Sequence, residues 1–249
     1  MRHPAPSTTS LIARVWGGGI NLVYPMRCAS CRKKLDALDE LGVCSFCIGN
    51  IRKNPKPYCV QCGRSLESAQ SGPCSECRKN KFHFKRAYSA CLHDGVVKEV
   101  VHAFKYRNKL YLSGILSDIM LKFIKENSEI SEGVDAITFV PMRYWRLRAR
   151  GFNQSKLLAH NVSRALGIPV LDSLKKTRMT KPQNELGRDK RLINLRGSIR
   201  AVNREKLPGL KMLLIDDVMA TGSTLDESSK ALLDSGAAEV RCLTLSRGI

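Results

Sequence analysis

The sequence predicts an α/β fold, a mostly parallel sheet with flanking helices, preceded by a small cysteine-rich module. Three observations carry that prediction. Apolar runs of strand length alternate with helical stripes from Phe84 onward. An apolar run at residues 212–215 leads through two carboxylates into a small-residue turn and then a helix. Eight of the ten cysteines fall in four Cys-x-x-Cys pairs before residue 80. A chain of 249 residues has room for one sizeable α/β domain plus such a module.

The pairs are Cys28/Cys31, Cys44/Cys47, Cys59/Cys62 and Cys74/Cys77, separated by 12, 11 and 11 residues. Each pair can bend its backbone into a knuckle that presents two thiolates to one tetrahedral Zn²⁺, so four pairs supply two closed structural sites. Sequential sharing makes one ribbon from the first two pairs and another from the last two; crossed sharing uses the same residues in the other order. Gly63, directly after Cys62, suits a tight knuckle turn. The segment is poor in large apolar residues, so metal contributes its folding energy and stripping it is expected to unfold the module. Cys91 and Cys242 sit inside apolar strand-like runs and read as buried bystanders. His83, His93, His102 and His160 show no pairing at ligand spacing and are assigned to no metal.

From residue 84 the elements follow in order. Residues 88–92 read as a strand. Val96, Val97, Val100, Val101 and Phe104 share one helical face, and Leu112, Ile115, Leu116, Ile119 and Phe123 share one face of the next helix. Residues 136–140 read as a strand, 155–166 as a helix closed by Gly167, and 212–215 as a strand covered on both faces. Residues 223–233 form the following helix, closed by Gly236, and 240–245 the last strand. In open sheets of this class ligands sit beyond the carboxyl ends of the strands.

At that edge the run Met212-Leu-Leu-Ile-Asp-Asp-Val-Met-Ala-Thr-Gly-Ser-Thr224 joins a buried strand, two carboxylates and a turn. Thr221, Gly222, Ser223 and Thr224 place backbone N–H groups and hydroxyls at a helix N-terminus, where unpaired donors and the helix dipole favour an anion. Asp216 and Asp217 repel that anion, yet as acceptors they suit adjacent hydroxyls, as on a ribose, or a divalent cation. Two basic segments overhang the same edge. Residues 141–154 carry Arg143, Arg146, Arg148 and Arg150, whose guanidinium forks suit a diphosphate; the alternatives are a solvated basic turn, or a nucleic-acid patch with Tyr144 and Trp145 as stacking platforms. Residues 175–198 include Thr180-Lys-Pro-Gln-Asn184, Arg188, Lys190, Arg191 and Arg196, and read as a mobile lid or as a segment with its own short helix around residues 185–194.

The thirteen-residue run resembles the phosphoribosyl-diphosphate signature of type I phosphoribosyltransferases. That resemblance implies that Asp216 and Asp217 hold the ribose hydroxyls while Ala220, Thr221, Gly222, Ser223 and Thr224 cradle the 5′-phosphate, with Mg²⁺ accompanying the diphosphate. The four cysteine pairs, Phe104-Lys-Tyr-Arg-Asn108, Val140-Pro141, Arg146-Leu-Arg148, Arg150-Gly-Phe-Asn-Gln154 and Pro182-Gln183 together resemble the ComF family over residues 28–248. The resemblance implies a type I phosphoribosyltransferase-like sheet domain at 84–249, a double zinc-ribbon module at 28–83 and an N-terminal extension at 1–27. It also implies a place in the uptake of transforming DNA, and it alone marks Lys105 as a ligand contact. Phe139 and Tyr144 stand where relatives often have prolines, and Arg32 where glycine commonly follows the first knuckle.

Forty-two Lys and Arg against twenty-two Asp and Glu give a formal charge of +20, which attracts polyanions. Single-stranded DNA is the expected nucleic-acid partner. No apolar run approaches the roughly eighteen residues of a membrane span, and the stretch after residue 10 is too short and interrupted for a signal peptide, so no membrane insertion and a cytoplasmic location are expected. Two functional classes remain open: a phosphoribosyltransferase, or an adaptor that holds single-stranded DNA or a helicase-like partner and is gated by phosphoribosyl diphosphate.

Overall fold

The computed structural model describes residues 26–35, 41–67, 72–79, 81–177 and 197–248. The expected 1–27 extension, the Pro182-Gln183 pair and the basic residues between 178 and 196 lie outside the described residues, apart from Met26 and Arg27, as does the short helix expected around 185–194.

The cysteine module is a tandem repeat with an offset of about thirty residues. Cys28 N donates to Lys33 O and Arg32 N to Cys28 O; thirty-one residues later Cys59 N donates to Arg64 O and Gly63 N to Cys59 O. Isolated antiparallel bridges close each knuckle, Arg27 to Lys34 and Tyr58 to Ser65. A short helix ends each copy, α1 (Ser45–Gly49) and α2 (Ser75–Lys79). Each helix carries the fourth cysteine of its copy.

The sheet contains β1 (Arg86–Leu92), β2 (Ala136–Phe139), β5 (Lys211–Met219) and β6 (Glu239–Arg247) in the order β1-β6-β5-β2, all parallel. β3 (Leu174–Lys176) and β4 (Ile199–Ala201) form a separate antiparallel pair. The helices are α3 (Gly95–Tyr106), α4 (Leu112–Glu126), α5 (Tyr144–Arg150), α6 (Gln154–Leu166) and α7 (Ser223–Leu233). The two expected core stripes are in place: Val97, Val100, Val101 and Phe104 of α3 and Leu112, Ile115, Leu116 and Phe123 of α4 are buried, while Val96 and Ile119 are partly so.

Two differences from the sequence reading have a physical cause. The strand expected at 212–215 continues to Met219, because β6 runs alongside it and pairs Asp216 with Thr244, Val218 with Ser246 and Met219 with Arg247. Polar residues interrupt the apolar run without interrupting the ladder. The basic stretch 141–154 is also more ordered than an extended loop, since α5 occupies its middle with no buried residue and Gly151 ends it at φ 80°.

The ribbons straddle the sheet. Cys28 and Cys47 belong to the apolar cluster of α3, α4 and α6 with Leu213, Ile215, Leu243 and Leu245, whereas Cys59, Cys62, Cys74 and Cys77 join Met212, Leu214, Met219, Leu225 and Leu232 on the other side. The segment between the ribbons covers the outer edge of β1: Lys53 bridges Cys91, Asn54 N donates to Ala90 O and Leu92 N to Arg52 O. Gly63 explains how closely the second ribbon approaches. A Cβ there would lie 2.3 Å from Ala87 O, and its φ is +68°. Arg32, its counterpart, adopts φ 66° with a side chain.

These two positions give opposite expectations. Gly63→Ala should destabilise the zinc-loaded protein by about 2 kcal/mol, from left-handed strain plus overlap with a backbone carbonyl. Arg32→Gly should stabilise it, or leave it level, by up to about 1 kcal/mol, because glycine reaches that conformation without strain. Denaturant midpoints at fixed zinc concentration measure both, and equal shifts would refute the account.

Candidate functional site

β2 ends at Phe139, opposite Ile215 of β5, and the chain leaving it turns over the carboxyl edge of the sheet through Pro141, Met142 and Arg143 into α5. The result is a cleft of about 230 Å³ floored by Asp216, Asp217 and Val218 and walled by Lys105, Arg143, Arg146, Arg150, Asn153, Gln154, Ser155, Lys176 and Thr224. This is the edge at which an open parallel sheet places its ligands.

Successive side chains of a strand diverge, so the two carboxylates meet different partners. Asp216 Oδ1 accepts a hydrogen bond from Ser155 Oγ at 2.7 Å and from the Asp217 backbone N–H at 2.9 Å. Asp217 Oδ2 lies 2.7 Å from Lys105 Nζ. Burial, and then the neighbouring Asp217 charge, push the Asp216 carboxyl up to about 7; the Ser155 hydroxyl and Lys105 oppose this only in part. Asp216 therefore changes charge near neutrality.

The stretch Phe152–Ser155 organises this arrangement residue by residue. Phe152 packs against Phe104 of α3 with ring centroids 5.4 Å apart. Asn153 caps α6, its Oδ1 accepting from Ser155 N at 3.0 Å and Lys156 N at 3.4 Å, while its Nδ2 donates to Val140 O. Ser155 then clamps Asp216. Gln154, 2% exposed and lining the cleft, has an amide Nε2 without a hydrogen-bond partner among the described residues.

The wall opposite the carboxylates is cationic. Burial and the like charge of Arg146 lower the pKa of Arg143, and burial together with Arg143 and Arg146 bring Lys176 down to about 8. Such crowding of like charge favours a bound anion. Of the four arginines of this segment, Arg143, Arg146 and Arg150 line the cleft; Arg148 stands outside that lining, its guanidinium 5.6 Å from the Tyr144 ring centre. Arg146 and Arg150 also lie over aromatic rings, those of Trp145 and Tyr106.

Beyond β5 the bend of Ala220, Thr221, Gly222 and Ser223 enters α7. Gly222 caps the helix at φ 84°, and a Cβ there would meet the Met219 methyl at 2.7 Å and the Phe82 ring at 3.3 Å. The hydroxyls of Thr221 and Ser223 are 2.8 Å apart, and Thr224 reaches the cleft wall. Asp226 in the first helical turn is engaged by His83, backbone N–H and Nδ1 both, at 2.6 and 2.9 Å.

The cysteines form two quartets, Cys28, Cys31, Cys44 and Cys47, and Cys59, Cys62, Cys74 and Cys77, with all Sγ atoms of each set within 4.8 Å of one another. Pairs are thus shared sequentially, not crossed. The spacings Cys31–Cys44 and Cys62–Cys74 are 3.7 and 3.8 Å, and tetrahedral zinc at its usual sulfur distance requires about 3.8 Å. Cys28 and Cys59 occupy equivalent places. Burial raises their pKa, but backbone N–H donors, including Cys44 N and Cys74 N, outweigh it and lower both to about 6. A donor set of four sulfurs so arranged fits structural zinc. Cys91 and Cys242 are buried in strands, as expected.

Sequence reasoning missed Asn153, Gln154, Ser155 and Lys176. The start of α6 was legible, and an asparagine before it is a capping signal; nothing local marks Ser155 as the partner of a residue 61 positions away. Lys176 reaches the cleft only because β3 lies beside it.

Comparison with known proteins agrees with this architecture. The double zinc ribbon domain matches residues 19–80 and the phosphoribosyl transferase domain residues 153–248. The DNA utilization protein YhgH of Salmonella typhimurium is 34% identical over 236 residues, 91% of this chain and 99% of that protein. Competence protein F of Haemophilus influenzae is 29% identical over 228 residues, 90% and 98% of the two chains, and competence protein ComFC of Bacillus subtilis 26% over 246 residues, 93% and 98%. Among solved structures, APRTase from Giardia lamblia complexed with 9-deazaadenine is similar over 55% of this chain and 72% of its own, with 20% identity and a TM-score of 0.38. Among the described residues no helix is long and apolar enough to cross a membrane. With both modules present in order and near full-length relatives on either side of one-third identity, the chain belongs to the ComF family, a double zinc ribbon joined to a phosphoribosyltransferase-like domain.

Proposed function

We propose that the cleft binds 5-phosphoribosyl 1-diphosphate and that the protein acts in the handling of single-stranded DNA; relatives along nearly its whole length bear the names competence protein F and DNA utilization protein. The observation that carries the reading is the division of one cleft into a carboxylate floor and a cationic wall. Asp216 and Asp217 accept from the ribose hydroxyls. The 5′-phosphate lies against the backbone donors of Ala220, Thr221, Gly222, Ser223 and Thr224 at the start of α7. Arg143, Arg146, Arg150 and Lys176 take the diphosphate, and Gln154 supplies one further donor. The carboxylate oxygens are the hard donors magnesium takes, and magnesium bound with the diphosphate supplies charge neutralisation on the departing group. If transfer occurs, the C1′–oxygen bond breaks toward the diphosphate and the electron pair of an acceptor nucleophile forms the new bond at C1′. The cationic wall stabilises the growing charge.

Helix α5 supports contact with nucleic acid. It buries no side chain, yet carries Tyr144 and Trp145 exposed by 71% and 52% beside Arg146, Arg148 and Arg150. Exposed rings interleaved with guanidinium groups are what stacked bases and a phosphate backbone require. Gating of DNA contact by the sugar diphosphate follows from the shared use of Arg146 and Arg150. A helicase-like protein partner is the adaptor form of the same reading.

Calorimetry with the magnesium complex of phosphoribosyl diphosphate tests the ligand. Asp217→Ala should weaken binding by about ten- to hundredfold, the loss of a charge-assisted hydrogen bond, with both zinc ions retained; absence of binding to the folded, zinc-loaded wild type would end the reading. A second expectation concerns pH. Because the folded protein holds Asp216 at about 7 against an ordinary 3.8, the native state keeps a proton that the unfolded chain has lost between these values. The group therefore contributes stability at low pH that disappears as pH rises through 7. Ligand affinity should move the other way, rising through pH 7 as the carboxylate ionises, and Asp216→Asn should flatten both profiles. For DNA, replacing Arg146, Arg148 and Arg150 by Ala should reduce the salt dependence of single-stranded binding by up to about two units of slope, at about 0.7 per lost phosphate contact. An unchanged slope would remove α5 from the interface.

A further inference from the structure

One buried cation joins the second cysteine quartet to the bend that precedes α7. Arg247, at the end of β6, is 3% exposed. Its Nη1 donates to Cys62 O at 2.5 Å and lies 3.2 Å from Met219 Sδ, while Cys62, Cys74 and Cys77, and the like charge of Arg64, are within electrostatic reach. Arg247 is the register partner of Met219 across the sheet, and Gly248 N donates to Met219 O at 3.0 Å. The Met219 methyl in turn occupies the space beside Gly222, 2.7 Å from where a Cβ would stand, with the Phe82 ring completing the enclosure. Three contacts, Cys62 to Arg247, Arg247 to Met219 and Met219 to Gly222, thus lead from a metal knuckle to the residue that caps α7.

The first quartet has a different environment. Its cysteines pack in the cluster of α3 and α4, and its knuckle meets α4 where Gly42 abuts Tyr111 and Leu112. Met219 and Leu225, on either side of the bend, belong to the cluster of the second quartet. The two metal sites are chemically alike, but only the second adjoins the bend among the described residues.

We propose that Arg247 is a positioning residue that couples occupancy of the second metal site to occupancy of the bend, so that zinc at Cys59, Cys62, Cys74 and Cys77 and an anion at residues 220–224 strengthen each other's binding. The proposal rests on the phosphoribosyl diphosphate reading of the cleft. Four thiolates closed on a divalent ion leave a net negative charge beside the guanidinium and fix the carbonyl of Cys62 toward it. Without the ion the knuckle opens, the carbonyl leaves, and a buried guanidinium without its acceptor must move, since an uncompensated buried charge is strongly unfavourable. Met219 moves with it, and the wall against Gly222 is lost. By reciprocity, an anion that fixes the bend holds Met219 and Arg247 in the arrangement that retains the knuckle.

The test uses the full zinc-loaded chain, a zinc-selective chelator, and magnesium phosphoribosyl diphosphate as probe. At equilibrium with the chelator, one of the two zinc equivalents should be held about tenfold more tightly with the probe present, a coupling of ordinary size, and the other with unchanged affinity. Cys31→Ser, which opens the first site, should retain the protected equivalent. Arg247→Met should abolish the protection and weaken probe binding about tenfold, and Arg247→Lys should restore part of both; a purely structural tie would not make zinc affinity depend on the probe. If Arg247→Met fails to fold, the wild-type zinc affinities with and without the probe decide alone. Probe binding to the wild type with no difference in zinc affinity overturns the coupling and leaves the cleft reading standing. No binding to the wild type overturns both.

Discussion

A strand that carries two adjacent carboxylates into the end of a buried sheet must find compensation for each, because unpaired charge in such a place is costly. In this protein the requirement is met asymmetrically. Asp217 faces the ammonium of Lys105 from α3, and among the described residues Asp216 is hydrogen-bonded by a hydroxyl and a backbone N–H, from Ser155 and its own neighbour. One carboxylate is satisfied by charge and the other is left poorly so. The cleft around them inherits that inequality: α3 and α6, seated by their apolar faces, and the turn after β2 bring Lys105, Ser155 and Asn153 to its lining. A ligand with hydroxyls or a cation to offer Asp216 meets a group whose present partners are insufficient.

The order of elements was legible because its signals are local. The α7 boundaries follow from a capping turn ahead of a polar-faced helix, and the stripes of α3 and α4 follow from helical periodicity. What escaped is what depends on lateral pairing. Nothing within residues 216–219 announces a strand; only the presence of β6 from Thr244 to Arg247 makes it one. Likewise α5 has no apolar face to reveal it. The structure places Asp216, Asp217 and Lys105 in the cleft, and of the predicted bend only Thr224 lines it; the carboxylates and the bend stood out from their sequence context and Lys105 from resemblance, whereas Ser155, Gln154 and Lys176 come beside them through proximity across the fold. The pairing order of the cysteines was open in the sequence because both arrangements use the same spacings. The quartets resolve it.

The cysteine modules are integrated with the sheet more fully than an appended metal domain needs to be. Each quartet lends its buried sulfurs to a different face of the core, so a fold whose α/β part could otherwise close on itself instead uses metal-organised loops as part of two apolar layers. The near-repeat of backbone hydrogen bonds between the copies shows the same local solution employed against two different surfaces. Ordinary side-chain freedom remains at the first knuckle, where Arg32 tolerates a left-handed backbone, while the second is pressed against a carbonyl of β1.

The segment 52–54 lies along the outer strand of the sheet and satisfies its backbone groups. Its position depends on the metal-organised loops at both of its ends. A chain synthesised when zinc is scarce would therefore carry β1 as a bare strand margin, and bare margins recruit other chains. The cover of that margin and the filling of the cysteine quartets are thus one structural requirement, irrespective of what the cleft binds.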